Sequence, residues 1–303
     1  MIVFAISDKG GTGRSVTGGN IVYRSALAGH DSCFVDFDFG SPTAGTIFDV
    51  HALGRGTESG RGTQSLLLGS SEASESLELW TASDSLGGRP PGAGRLVLFP
   101  GDKGGSEFSI DTNTVRRCAR FLGRLLEEYE LSVVDLSAGR SYAVRLVLEA
   151  TADWGGSAQT RWLVFHRWTR QHVVAAHGLI HEARGILQTA EGCGHDRNET
   201  LDSLRTVRTA VMDPATADLS GLSGTQISWL RERHHDLQIL AGELGLGRTR
   251  TLGIVPLDPI LHWHEQILTE KALYESRIAS VGTVQAFQEL ASALVDRAGW
   301  EKL

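Results

Sequence analysis

The sequence predicts a doubly wound α/β fold: a mostly parallel sheet of about seven strands with helices on both faces. Three observations carry that prediction. Short apolar runs of strand length alternate with stretches of helical spacing along most of the 303 residues. The first run, "MIVFAIS", leads through "DKGGTGRS" into a helix-like stretch and then a second apolar run that ends by Gly40. A strand, loop, helix and strand in so short a span impose parallel pairing, with the helix on one face of the sheet. The apolar runs are also continuous rather than alternating, as strands buried on both faces require.

The elements follow in order. "SVTGGNIVYRSALAG" has apolar residues at 16, 21, 22, 26 and 27, the helical period, and Gly29 reads as its stop. "SCFVDFDFG" reads as the second strand. Residues 52–94 are rich in Gly and Ser, with one helix-like patch, "TQSLLL". They read as a partly disordered surface insertion within one domain spanning 1–303, because "RLVLFPG" (95–101) resumes the core pattern. A helix over 112–129, with Thr or Asn as its N-cap, precedes strands at 131–137, 161–166 and 206–212. Helices fit over 139–151, 169–190 and 227–245, with a last strand at 251–258 and a closing amphipathic helix, "VGTVQAFQELASALVDRA". No internal repeat is visible.

Composition narrows the function classes. A hydrophobic content of 41% and a charged content of 21% are ordinary for a soluble globular protein. No run of apolar residues is long enough to span a bilayer, and the N-terminus does not read as a secretory signal. Cys33, Cys118 and Cys193 show no paired spacing, so a cytoplasmic location is expected. A net charge of −7 argues against a generally basic nucleic-acid surface. Of 29 basic residues only four are lysine, Lys9 among them.

Phosphate binding needs backbone N–H groups pointing inward, glycines that let the chain approach the anion, and a helix N-terminus behind them. The stretch from Lys9 to Ser15, Lys-Gly-Gly-Thr-Gly-Arg-Ser, meets all three demands between a strand and a helix. The donors would be the amides of Gly10, Gly11, Thr12, Gly13, Arg14, Ser15 and Val16, and the Ser15 hydroxyl can join Mg²⁺. The ordinary G-x-x-x-x-G-K-[ST] pattern is broken by Asp8 and Arg14. The loop instead resembles the deviant Walker A loop, KGGxGK[ST], of the ParA/MinD family of ATPases.

That resemblance extends along most of the chain, although only the first loop is specific by itself. Asn20 falls where the family helix has asparagine, "CFVDFDFGSPTAGTIFD" is similar to its second element, and "LSVVDLSAG" to its Walker B strand and switch. The resemblance implies ATP and Mg²⁺ as cofactors. Lys9 would reach a partner's phosphates across a nucleotide-sandwich dimer, and Asp38 would orient the attacking water. Asp36 and Asp135 would stand behind the waters of the Mg²⁺ held by Ser15, and Gly139 would let the next segment sense the γ-phosphate. Alternate strand residues face opposite ways, so Asp36 and Asp38 both serve only if the strand ends before Asp38, which otherwise reads as a loop-capping carboxylate. "VMDPATADLS" and "LGIVPLDPILHWHEQ" loosely resemble two loops of the ParA branch, which would put Asp213 and Pro256 near the adenine.

Arg14 departs from the family lysine, since a planar guanidinium replaces a compact point charge. It reads either as a tuned substitution that slows hydrolysis or as a tolerated swap in an arginine-rich chain. The expectation is an ATP-dependent homodimer with weak or partner-stimulated ATPase activity that positions or regulates a cargo or partner protein. One alternative is a scaffold that senses nucleotide without turnover. Another is an ATP-dependent ligase or synthetase, for which nothing in the sequence specifies a second substrate pocket. Nonspecific DNA binding would use Arg231, Arg233, His234, His235, Arg248 and Arg250. The chain ends in no basic amphipathic tail for a membrane. His177/His181 and His262/His264 lack a metal-binding pattern, and the cysteines provide no cluster motif.

Overall fold

The computed structural model describes residues 1–154, 159–215, 217, 219–296 and 300. Its strands are β1 (Ile2–Ile6), β2 (Ser32–Phe37), β3 (Leu77–Glu78), β4 (Leu96–Phe99), β5 (Leu131–Leu136), β6 (Thr160–Arg167), β7 (Leu204–Val211) and β8 (Thr251–Pro256). The first six helices are α1 (Arg14–Leu27), α2 (Ala44–Ile47), α3 (Thr63–Leu68), α4 (Leu79–Ala82), α5 (Thr112–Glu128) and α6 (Tyr142–Thr151). They are followed by α7 (Arg170–His181), α8 (Ile186–Gly192), α9 (Arg197–Asp202), α10 (Gly224–Glu243), α11 (Ile260–Trp263) and α12 (Val281–Val295).

The strands form one sheet in the order β3-β4-β2-β5-β1-β6-β7-β8, parallel throughout except for β3 against β4. This is the doubly wound sheet expected from the sequence, with eight strands rather than about seven. The extra strand is β3, a two-residue edge strand inside the Gly/Ser-rich stretch 52–94. That stretch also buries Leu67, Leu79 and Trp80.

Period-two alternation divides the strand residues between two cores. Ile2, Phe4 and Ile6 of β1 pack in one core with residues of α5 to α8, whereas Val3 and Ala5 pack in the other with residues of α1 and α12. The sequence reads 169–190 as one helix, but the chain breaks it into α7 and α8. Arg184 adopts φ 59°, and a Cβ on Gly185 would lie 2.7 Å from the Leu179 carbonyl, so the turn needs both a left-handed residue and a glycine. Among the described residues no helix is long and apolar enough to cross a membrane.

Helix α1 lies close against the sheet because Gly18 leaves no side chain there: a Cβ would come within 3.2 Å of Phe34. Two residues on, Asn20 fastens a distant loop to the helix. Its amide donates to the Val16 carbonyl at 2.9 Å, and its Oδ1 accepts the Leu268 N–H at 2.8 Å. Asn20 is fully buried, so removing its amide strands a buried backbone donor. Asn20→Leu, of similar volume, should destabilise the fold by about 2 kcal/mol in a urea unfolding series, the cost of one such orphaned group. An unchanged midpoint would show that the 266–268 loop is held by something else.

His166, in β6, is 1% exposed, and its Nε2 has no partner among the described residues. Burial, with Arg208 adding its charge, pushes its pKa down from 6.5 to about 4 against the opposing hydrogen bond at the Arg167 carbonyl. The folded pKa is depressed, so between those values the unfolded chain binds a proton that the folded chain refuses. Stability from this group is present above the unfolded pKa and is lost as pH falls, by at most about 1.4 kcal/mol per pH unit. His166→Leu should flatten the stability profile across that window while leaving the profile near pH 8 parallel to wild type. A wild-type slope retained in the variant would assign the pH dependence to other groups.

Candidate phosphate-binding site

The loop between β1 and α1 sits at the C-terminal edge of the sheet, where the chain leaves β1 for β2 on one side and, after β5, crosses to β6 on the other. Crevices at such reversals are where open α/β sheets bind ligands. Gly11 and Gly13 have φ of 70° and 74°, a backbone that other residues adopt only with strain. A Cβ built on Gly10 or Gly11 would meet no atom within 4 Å, so these glycines face open space. Helix α1 begins at that space with Gly13 as its N-cap, no side-chain cap and no acidic residue in its first turn. Its first N–H groups and the positive end of its dipole therefore remain available to an anion.

The loop is tied down from both sides. The Gly139 N–H, at φ 77° just after β5, donates to the Ser7 carbonyl at 2.8 Å. The Thr209 hydroxyl, near the end of β7, donates to the Thr12 carbonyl at 2.6 Å. The resulting cavity, about 310 Å³, is lined by residues 10–16 together with Asp38, Thr43, Thr46 and Ile47. Ser7, Ala138 and Glu265 complete its wall. An equally large cavity at the opposite end of the strands, against Thr160, Trp162 and Ser203, has no glycine loop.

Charge within the site is concentrated on Arg14, whose side chain is 7% exposed. Its Nε donates to Asp135 Oδ1 at 2.5 Å. Its Nη2 donates to Asp38 Oδ2 and Ser15 Oγ, each at 3.2 Å, and to Asp135 Oδ2 at 3.3 Å. Burial alone lowers the Arg14 pKa, but Asp135 and Asp38 outweigh it and hold the guanidinium charged. Asp135 is raised by burial and pulled back by Arg14. Asp36 is the Cα register partner of Asp135 across β2 and β5. Burial, and then the Asp135 charge, push Asp36 up to about 8. Its two oxygens accept the N–H groups of Asp38 and Ala44 at 3.0 and 3.2 Å. The strand does end at Phe37, which places Asp38 in the loop and at the cavity wall.

The structure gathers some of the residues named from the sequence and leaves others apart. Gly10, Gly11, Thr12, Gly13, Arg14, Ser15, Val16 and Asp38 share the cavity, and Asp135 stands beneath it on Arg14. Lys9, half-exposed, does not line it and has no ion-pair partner among the described residues. Asp213 and Pro256 do not line it either. The Asp213 carboxylate accepts the Ala215 N–H at 2.9 Å, and Pro256 closes β8 opposite Val211. Sequence reasoning missed Thr43 and Thr46, although the small-residue stretch after Asp38 was a usable signal, and Glu265, for which no local signal exists. Among the described residues no group of three or more His, Cys, Asp or Glu is arranged to hold a metal ion, the histidine pairs included. Of the three groups expected to serve Mg²⁺, Ser15 and Asp135 face a guanidinium that also holds Asp38, and Asp36 accepts backbone N–H groups instead, so a divalent cation does not fit between Ser15 and Asp135 while Arg14 stays in place.

No protein-family model and no curated protein matches the sequence. Solved structures do match the fold over nearly the whole chain. The MinC:MinD cell division protein complex of Aquifex aeolicus aligns at TM-score 0.62 and 15% identity, covering 97% of this chain and 95% of that one. The septum site-determining protein MinD complexed with Mg-ADP, from Pyrococcus horikoshii, aligns at TM-score 0.57 and 13% identity over 100% and 98% of the two chains. A ParA family ATPase from Chlorobium tepidum aligns at 0.54 and 12% identity over 96% and 98%. With the glycine loop between β1 and α1 and the strand order around it, these likenesses give the conclusion that the fold of this chain is the ParA/MinD fold of P-loop ATPases.

Proposed function

We propose that this chain is an ATP-binding switch protein that dimerises around nucleotide and positions or regulates a partner protein. The observation that carries the reading is the glycine loop itself. An uncapped helix N-terminus, two left-handed glycines and a buried cation converge on one cavity at the reversal point of the sheet. Backbone amides of residues 10–16 would take the phosphates, with Arg14 at their side. The chain from 1 to 303 would act as one unit, with residues 52–94 forming one edge of its sheet.

Two side chains bear on the steps after binding. Lys9 lies outside the cavity without an ion-pair partner among the described residues, which supports a role toward the phosphates of a second copy. Asp38 borders the cavity but commits its carboxylate to Arg14 at 3.2 Å, so it is held away from orienting a water until that pair opens. This favours slow or partner-stimulated hydrolysis, and it is also the observation that favours a second reading, a scaffold that binds nucleotide without turnover. Mg²⁺ enters either reading only when Arg14 withdraws from its oxygens.

DNA is the weaker candidate for the partner. Arg231, Arg233, His234 and His235 do lie on α10, most of whose residues are solvent-facing. However, Arg233 spends its charge on Glu232 and Asp236 at 2.9 and 3.0 Å, and Arg250 bonds the Leu201 carbonyl at 2.7 Å beside Asp202.

Calorimetry with ATP, together with light scattering of the eluted protein, tests the proposal. Wild type should bind ATP and shift toward twice its mass. Lys9→Ala should keep ATP affinity within about threefold, well short of a tenfold (about 1.4 kcal/mol) change, and lose the shift in mass. Asp38→Ala should bind ATP and lower any turnover by about 100-fold, the scale of a lost catalytic carboxylate. Absence of ATP binding at millimolar nucleotide would overturn the reading. Binding with no turnover in wild type would move the conclusion to the scaffold.

A further inference from the structure

Two of the three groups expected beside a divalent cation, Ser15 and Asp135, are bridged by a cation of the chain itself. One guanidinium reaches Ser15 Oγ, Asp38 Oδ2 and both oxygens of Asp135, at 2.5 to 3.3 Å. Only Nε and Nη2 are engaged; Nη1 makes no hydrogen bond among the described residues, and Arg14 lines the cavity. A lysine ammonium is a compact charge, whereas the planar fork of arginine can hold carboxylates on one edge and offer another N–H to a phosphate oxygen. The Asp135 side chain is 5% exposed, so withdrawing the guanidinium leaves a buried carboxylate without a counter-charge. A divalent ion added while Arg14 remains would face a positive charge across the same oxygens.

We propose that Arg14 is the resident cation of this site, bridging Ser15, Asp38 and Asp135 to the nucleotide phosphates in place of a divalent metal ion, so that nucleotide binding by this chain needs no Mg²⁺. The proposal rests on the nucleotide-binding reading above and goes beyond it, because it assigns to one side chain the bridging role of the metal. It also distinguishes the two readings of Arg14 drawn from the sequence. A tolerated swap leaves the metal requirement as it was, whereas a resident cation removes it.

Two measurements on the full chain test it. In the first, Mn²⁺ alone is titrated into nucleotide-free protein and free Mn²⁺ is read by electron paramagnetic resonance. Arg14→Ala should bind Mn²⁺ at least about tenfold more tightly than wild type, and Arg14→Ala/Asp135→Asn should lose that gain, since hard cations need the freed carboxylate oxygens. In the second, ATP affinity is measured by calorimetry in EDTA and in Mg²⁺. Wild type should bind equally in the two buffers, within about threefold, and Arg14→Lys should weaken at least about tenfold in EDTA. Arg14→Lys keeps a positive charge beside Asp135, so it decides the question if Arg14→Ala unfolds.

Wild-type binding that falls tenfold or more in EDTA overturns the resident cation and leaves the nucleotide reading standing, as does Mn²⁺ binding that is equal in wild type and Arg14→Ala. Absence of ATP binding in both buffers overturns the nucleotide reading and this proposal with it.

Discussion

Parallel pairing at the centre of the sheet is the constraint on which everything else depends. With β1 hydrogen-bonded to β5 on one side and β6 on the other, the strands deliver their last residues to one edge. The register then makes Ala5, Asp36 and Asp135 neighbours through Asp135, the shared partner of the other two. The loop after β1 can only arch over these carboxylates, and α1 must start above them. Had β2 or β5 run antiparallel, its acid would have gone to the opposite end and the acids would not have met here.

A cation is needed because this edge is dry. Asp36 and Asp135 are each 3% exposed, and Asp38 stands close by in the loop. Three acids meet one arginine, and the site balances its charge by different routes. Asp135 and Asp38 take the guanidinium, while Asp36 turns to backbone N–H groups and holds its proton up to about 8. A buried ion pair of this kind is weak evidence for net stability, since desolvation offsets attraction. Its value is positional: it fixes where the guanidinium lies relative to the open space above the glycines.

The second constraint is the tether from α1 to the far end of the chain. Asn20 accepts the Leu268 N–H, and Arg24, buried on the same helix, pairs with Glu270 and the Leu268 carbonyl. Through these contacts a segment almost 250 positions away in sequence is laid beside the loop, which is how Glu265 comes to the cavity wall. Asn20 was legible as a family position, but its function as a clasp was not, because its partner has no sequence signature. Asp213 and Pro256, expected only near the adenine, lie just past the end of β7 and at the end of β8, as their context suggested, and outside the phosphate cavity.

The sequence by itself determined whatever is encoded by neighbours along the chain. Continuous apolar runs made buried parallel strands, and Gly11 and Gly13 made a loop that turns through left-handed angles. The strand ending at Phe37 put Asp38 in the loop, so the cradle from Gly10 to Val16 was readable from adjacent residues alone. Tertiary structure alone decided what Arg14 does. As a letter it was a departure from a pattern, equally open to a tuned role or a tolerated swap. Its carboxylate partners lie 24 and 121 positions away, and only the register of β2 and β5 brings them within hydrogen-bonding distance of one guanidinium. Long-range charge pairing depends on folded geometry and leaves no local trace, which is why the loop could be read from sequence and its cation could not.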